Sequence, residues 1–157
     1  MRVRHVLAHE ADRLREIRLR SLASDPDAFG STYERDLAFP ADWWERAAQR
    51  SEQGVQRTFV AVDSGDAWVG MAVVRPDEES LGDTVINAMW VAPEARRQGA
   101  GRALLEGCVE WARARHFRGV SLNVRIANAT ARAAYEAAGF ALVRTVGDEH
   151  VLKRSLL

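Results

Sequence analysis

The chain has one cysteine, Cys108, which excludes an intrachain disulfide and a cysteine-based zinc cluster. Its histidines are His5, His9, His116 and His150, and their spacing matches no metal-ligand pattern. His5 and His9 are four apart but straddle a strand end and read as solvated surface, so no metal is expected. No apolar run approaches the ~20 residues that a membrane span needs. The first residues, MRVRHVLAHEADRLRE, are charged with no continuous apolar stretch behind them, unlike a secretory signal. A cytoplasmic protein with no membrane partner is the expectation. An excess of one charge is also lacking: 22 basic residues balance 22 acidic ones. That argues against a general nucleic-acid binder and leaves room for a small basic pocket.

What remains is an ordinary globular composition, 47% hydrophobic and 28% charged, in 157 residues. The length suits one domain with one core, and no repeat or low-complexity linker divides it. Val3 to Leu7 reads as a short strand and Ala11 to Ala23 as a helix stopped before Pro26. The segment from Ala28 to Leu37 is ambiguous. Pro40 opens a second helix that runs to about Arg50, with Gly54 beyond it. Arg57 to Val62 and Ala67 to Val74 form a hairpin across Asp63-Ser64-Gly65-Asp66. Thr84 to Val91 is apolar enough for a central strand and ends at Pro93. A helix from Gly101 to His116, a strand from Val120 to Val124 and a helix from Asn128 to Ala138 follow. Phe140 to Val146 and Val151 to Leu156 close the chain as strands. The order β-α-α-β-β-β-α-β-α-β-β predicts an α/β (α+β) domain, with a mixed sheet of six or seven strands and helices on both faces.

One segment carries chemistry. Arg96-Arg97-Gln98-Gly99-Ala100-Gly101 joins the central strand to a helix, and Arg102 follows. A helix N-terminus offers unpaired N–H groups and the positive end of the macrodipole. Gly99 and Gly101 let a phosphate approach the backbone, and the arginines complement its charge. No Gly-Lys-Ser/Thr follows, so a Walker loop is excluded, and Gly-x-Gly-x-x-Gly is not completed. Taken alone, the glycines also admit the blander role of tight packing at a helix start.

The flanks narrow the choice. Asn87 to Leu105 comprises a strand ending in Val91-Ala92-Pro93, a basic turn, Gly-x-Gly and a Leu-Leu helix. It closely resembles the central motif of the GNAT superfamily of N-acetyltransferases. Downstream, Asn123-Val124, Asn128, Ala131, Tyr135 and Gly139-Phe140 resemble a second motif of that superfamily. Leu22 to Phe29 looks, more loosely, like the first helix and its following turn. The resemblance implies acetyl-CoA as the acyl donor, held where two parallel strands splay, here Thr84–Val91 and Val120–Val124. Main-chain groups of Met89, Trp90 and Val91 would bond the pantetheine arm, and Arg96 to Arg102 would hold the pyrophosphate. A neutral amine would attack the thioester directly, N–H groups near Val91 would stabilise the oxyanion, and Tyr135 would protonate the departing thiolate.

Residue by residue, blander roles stay open. Asn128 and Tyr135 are seven apart, about 20° from each other around a helix, so both can face the cofactor. Asn128 can also cap that helix, and Tyr135 can be a buried tyrosine with a satisfied hydroxyl. Cys108 offers an acyl-enzyme route, but it shares an apolar face with Leu104, Leu105 and Val109 and reads as an inert core thiol. Many GNAT relatives carry a glutamate on the strand before Val-x-Pro; here that strand has Asp83 and Asn87. The base is thus unassigned among Asp83, Glu34, His150 and a water chain. Phe29, Tyr33 and Glu34, with Trp43 and Trp44, could build the acceptor pocket, although consecutive tryptophans point about 100° apart and one at least belongs to the core. The acceptor would be a small-molecule, amino-acid or peptide amine. A non-catalytic CoA-binding module and a nucleotide-binding loop are the competing functions, and a homodimer is the commonest closed assembly.

Overall fold

The computed structural model describes residues 1–157. Seven strands form one sheet in the order β1-β2-β3-β4-β5-β7-β6. They are β1 (Arg2–His5), β2 (Arg57–Val62), β3 (Trp68–Pro76), β4 (Asp83–Val91), β5 (Gly119–Arg125), β6 (Ala141–Val146) and β7 (Glu149–Ser155). Only β4 and β5 run parallel; every other pair is antiparallel. The helices are α1 (Ala11–Ser24), α2 (Tyr33–Leu37), α3 (Ala41–Gln53), α4 (Ala100–Ala114) and α5 (Ala129–Ala137). The mixed sheet and the order of elements agree with the sequence reading. The ambiguous segment resolves into a 3-10 turn, Pro26–Ala28, and the short helix α2, which Thr32 caps by accepting from the Arg35 N–H. No helix is long and apolar enough to cross a membrane.

The strand period of two divides the sheet's side chains between two layers. On one face α4 buries Leu104, Leu105, Cys108, Val109 and Ala112 at helical spacing. Full burial of one such leucine contributes about 1.5–3 kcal/mol. The approach is close enough to need Gly70 on β3. A Cβ there would sit 3.0 Å from the Trp90 carbonyl oxygen and 3.2 Å from Leu104 Cδ1. On the other face α1 and α3 cover Met71 and Val73, with Leu14, Ile17, Trp44 and Ala47 in the same core.

Candidate active site

The site begins as a defect in the sheet. The β4–β5 ladder runs from Asp83↔Gly119 to Ile86↔Leu122 and stops, although β4 continues to Val91 and β5 to Arg125. The cause lies on the other side of β4. Its register with β3 shifts between Val73↔Asn87 and Met71↔Trp90, so Ala88 and Met89 oppose the single residue Ala72. That is a β-bulge, and Ala88 sits in the left-handed region at φ 55°. The bulge bends β4 away from β5 and opens a cleft of about 620 Å³, whose walls include Phe29, Met89, Asn123, Asn128 and Tyr135.

Antiparallel alternation decides which groups of β4 face this opening. The Ala92 N–H donates to the Val69 carbonyl at 2.7 Å, so the Met71–Trp90 pair two residues back is also hydrogen-bonded. Trp90 therefore directs its main-chain groups to β3, contrary to the expectation that they serve a pantetheine arm. Its buried indole is used elsewhere, Nε1 donating to Asp25 Oδ2 at 2.7 Å. Val91 points the opposite way. Its carbonyl accepts from Arg96 Nε at 2.9 Å, which leaves its N–H toward the cleft.

The loop after β4 keeps its amides free. None of the N–H groups of Arg97, Gln98, Gly99, Ala100, Gly101 and Arg102 has a main-chain acceptor. Arg97 at φ 63° and Gly99 at φ 86° turn the chain so that α4 starts beside the cleft. A Cβ on Gly101 would lie 3.6 Å from Met89 Cε and 3.8 Å from Val91 Cγ2, which places the helix start on the end of β4. A row of orphan donors at a helix N-terminus fits a pyrophosphate. One expected cation does not stand free: Arg96 is tied to Asp25 by a 3.0 Å ion pair. Arg97 and Arg102 are exposed, the latter 3.7 Å from Glu106. Gln98 reaches back to the Glu94 carbonyl at 3.3 Å.

Asp25, which the sequence reading overlooked, is what holds this loop to α1. Burial raises its carboxyl pKa, but the hydrogen bonds from Trp90 and Arg96 outweigh that and hold it below the usual carboxylate range. Beside it Arg20 spans both carboxylate oxygens of Glu94, at 2.7 and 2.6 Å, and lies over the Trp90 ring.

On the opposite wall α5 carries the two residues singled out by spacing. Asn128 is its N-cap, accepting from the Ala131 N–H at 3.2 Å, so capping uses its carbonyl and leaves its amide nitrogen for the cleft. Tyr135 lies one helical face along, against the same opening, and its hydroxyl has no partner among the protein's side-chain hydrogen bonds. Desolvation on the cleft wall pushes its phenol up to about 12. Cys108 is wholly buried behind the sheet and burial pushes its thiol up, so it is no nucleophile.

The acceptor residues separate. Phe29 lines the cleft, with the Arg18 guanidinium 4.9 Å above its ring. Tyr33 and Glu34 do not join it. Both are exposed, and Tyr33 borders a shallow hollow on the outer side of α1. The residue that α2 turns inward is Asp36, which accepts from Arg18 at 3.0 Å and Ser31 at 2.6 Å. A second cavity of about 600 Å³ lies there, between α1–α3 and the sheet. Trp43 stacks on Phe39 at its mouth while Trp44 is core. The two cavities meet at Gly30, Arg75, Asn87 and Ala88. None of the three base candidates stands at that junction. Asp83 lies four residues, about 13 Å of strand, from Asn87 and is bound to Lys153 at 2.9 Å. His150 is fixed by Thr145 and Arg132, and Glu34 faces outward.

These features have counterparts in known proteins. The profile of the acetyltransferase (GNAT) family matches residues 13–140. The ribosomal protein bS18 alanine N-acetyltransferase of Escherichia coli K12 is 33% identical over 107 residues, 68% of each chain. A type 1 aminoglycoside N(6′)-acetyltransferase of Klebsiella aerogenes is 36% identical over 127 residues, covering 70% of this chain and 84% of its own. The fold is shared with the PaiA N-acetyltransferase of Thermoplasma acidophilum, solved with coenzyme A, at TM-score 0.78 and 14% identity over 98% and 97% of the two chains. The chain belongs to the acetyltransferase (GNAT) family and is an acyl-CoA-dependent N-acetyltransferase.

Proposed function

We propose that this enzyme acetylates an amine of a small molecule, amino acid or peptide by direct attack, with donor and acceptor bound together. The observation that carries this reading is the meeting of two cavities at the β4 bulge, one walled in part by Met89, against whose side chain the start of α4 packs at Gly101, and the other an aromatic-walled chamber. Acetyl-CoA supplies an activated acyl group as a thioester. The amides of Arg97 to Arg102, with the Arg97 and Arg102 side chains, would bind its pyrophosphate. Met89 and Val91, with the Asn128 side chain, would align the arm, and the Val91 N–H would receive negative charge developing on the carbonyl oxygen. Tyr135 would deliver its proton to sulfur. With a folded-state value of about 12 it keeps that proton across the working range. Its acidity lies some three to four pH units below that of a thiol at ~8.5, a gap that narrows because the same burial disfavours the thiolate. The edge strand β6, with Leu142, Val143 and Val146 exposed, suits pairing with a second copy.

The cleft wall carries Asp77, Glu78, Glu79 and Glu149, but the residues that the two cavities share include no carboxylate, so the amine's own ionisation should govern the rate. In a thiol-release assay over pH 6 to 10, kcat/KM should rise about tenfold per pH unit until the acceptor's pKa is reached. No descending limb is expected, because Tyr135 stays protonated to about 12. A plateau near pH 6–7 with an amine of pKa ~10 would instead require a protein base.

A further inference from the structure

The chain is neutral overall, yet the chamber beyond the bulge is not. Its wall holds Arg18, Arg35, Arg50 and Arg75 and one carboxylate, Asp36. Asp36 is already engaged by Arg18 and Ser31. Arg75 donates to the amide oxygen of Asn87 at 2.9 Å, a neutral partner, and neither Arg35 nor Arg50 is ion-paired. Elsewhere arginines sit beside acids, as Arg132 does with Glu136 and Arg113 with Glu110. Two donors of the chamber's residues, Arg18 Nη1 and Trp44 Nε1, are buried without an acceptor. A guanidinium stays charged at any working pH and pairs with carboxylates through two parallel bonds. Phe39, Trp43, Met71 and Val73 supply an apolar remainder.

We infer that this chamber is an anion site, and that the acceptor is an amine bearing a carboxylate, with an apolar body between the stacked aromatics and β3. This rests on the chamber being the acceptor side of the transferase. A polycationic acceptor such as an aminoglycoside would meet four arginines set against the single carboxylate Asp36, and is disfavoured by the same electrostatics.

The test compares L-leucine, L-leucinamide, the amidated dipeptide Leu-Glu and kanamycin as acceptors, and measures binding of each to the enzyme by calorimetry without acetyl-CoA. At about pH 10.5, where both amines are free base and the arginines remain charged, L-leucine should exceed L-leucinamide in kcat/KM by about tenfold or more, the ratio expected for one charge-assisted contact. Arg50→Gln should bring that ratio toward one, while Arg113→Gln on the far helix should not change it. If amidated Leu-Glu matches leucine, the carboxylate is an acidic side chain of a peptide; if it matches leucinamide, it is that of a free amino acid. Equal use or binding of leucinamide and kanamycin would overturn the anion site, as would failure of every carboxylate to bind. Arg50-dependent carboxylate binding with no turnover of any amine would leave the anion site standing and overturn the acceptor role of the chamber.

Discussion

Replacing Tyr135 by phenylalanine should lower kcat by about a hundredfold or more, within the range of 10²–10⁴ that a positioned general acid contributes. The ring keeps its place against the cleft, so thermal stability and acetyl-CoA affinity should change little. The hydroxyl makes no hydrogen bond within the protein, and its removal orphans no partner. A structural role and an acid role differ in one readout. An acetyl thioester of a thiol with pKa near 5 needs no proton on departure, and the variant should turn it over almost as fast as the parent enzyme does. An equal loss with both donors would remove Tyr135 from the proton path.

Asp25→Ala should act on fold and site together. It leaves the buried Trp90 Nε1 without an acceptor and frees Arg96 from the 3.0 Å pair that fixes it under Val91. An unsatisfied buried donor costs about 1–3 kcal/mol. For a chain of this size that corresponds to a fall in Tm of roughly 2–12 °C. The amide row should loosen with it, and the Kd for CoA should rise about tenfold. Stability lost with CoA affinity intact would show that the loop needs no anchor on α1. The native interaction also sets a pH signature. The folded carboxyl lies below its ordinary value, so its contribution is complete above the unfolded pKa and is lost as pH falls through the folded one.

Local signals carried the reading as far as local physics reaches. Pro93, Gly99 and the Leu104–Leu105 stripe mark where β4 ends and α4 begins, because each acts on its own stretch of backbone. The seven-residue spacing of Asn128 and Tyr135 placed both on one cleft for the same reason. What escaped was long-range. Arg96 read as a phosphate cation because nothing nearby announces a partner in Asp25, 71 residues earlier. Trp90 read as a main-chain donor because the direction of its groups depends on a bulge and on pairing with β3. In α2 a five-residue helix offers no periodicity from which to choose Asp36 over Glu34 as the inward acid. Arg18, 18 residues before Asp36, makes that choice. The arginine-lined chamber draws on α1, α2, α3 and β3, and a net charge of zero hid it.

The site as a whole stands or falls on where the donor binds, and a crystal structure of the enzyme with coenzyme A measures that directly. The pyrophosphate is expected on the amides of Arg97 to Arg102, and the sulfur at the β4 bulge within about 3.5 Å of the Tyr135 hydroxyl. A coenzyme seated away from the β4–β5 opening, or a sulfur beyond reach of Tyr135, would contradict it.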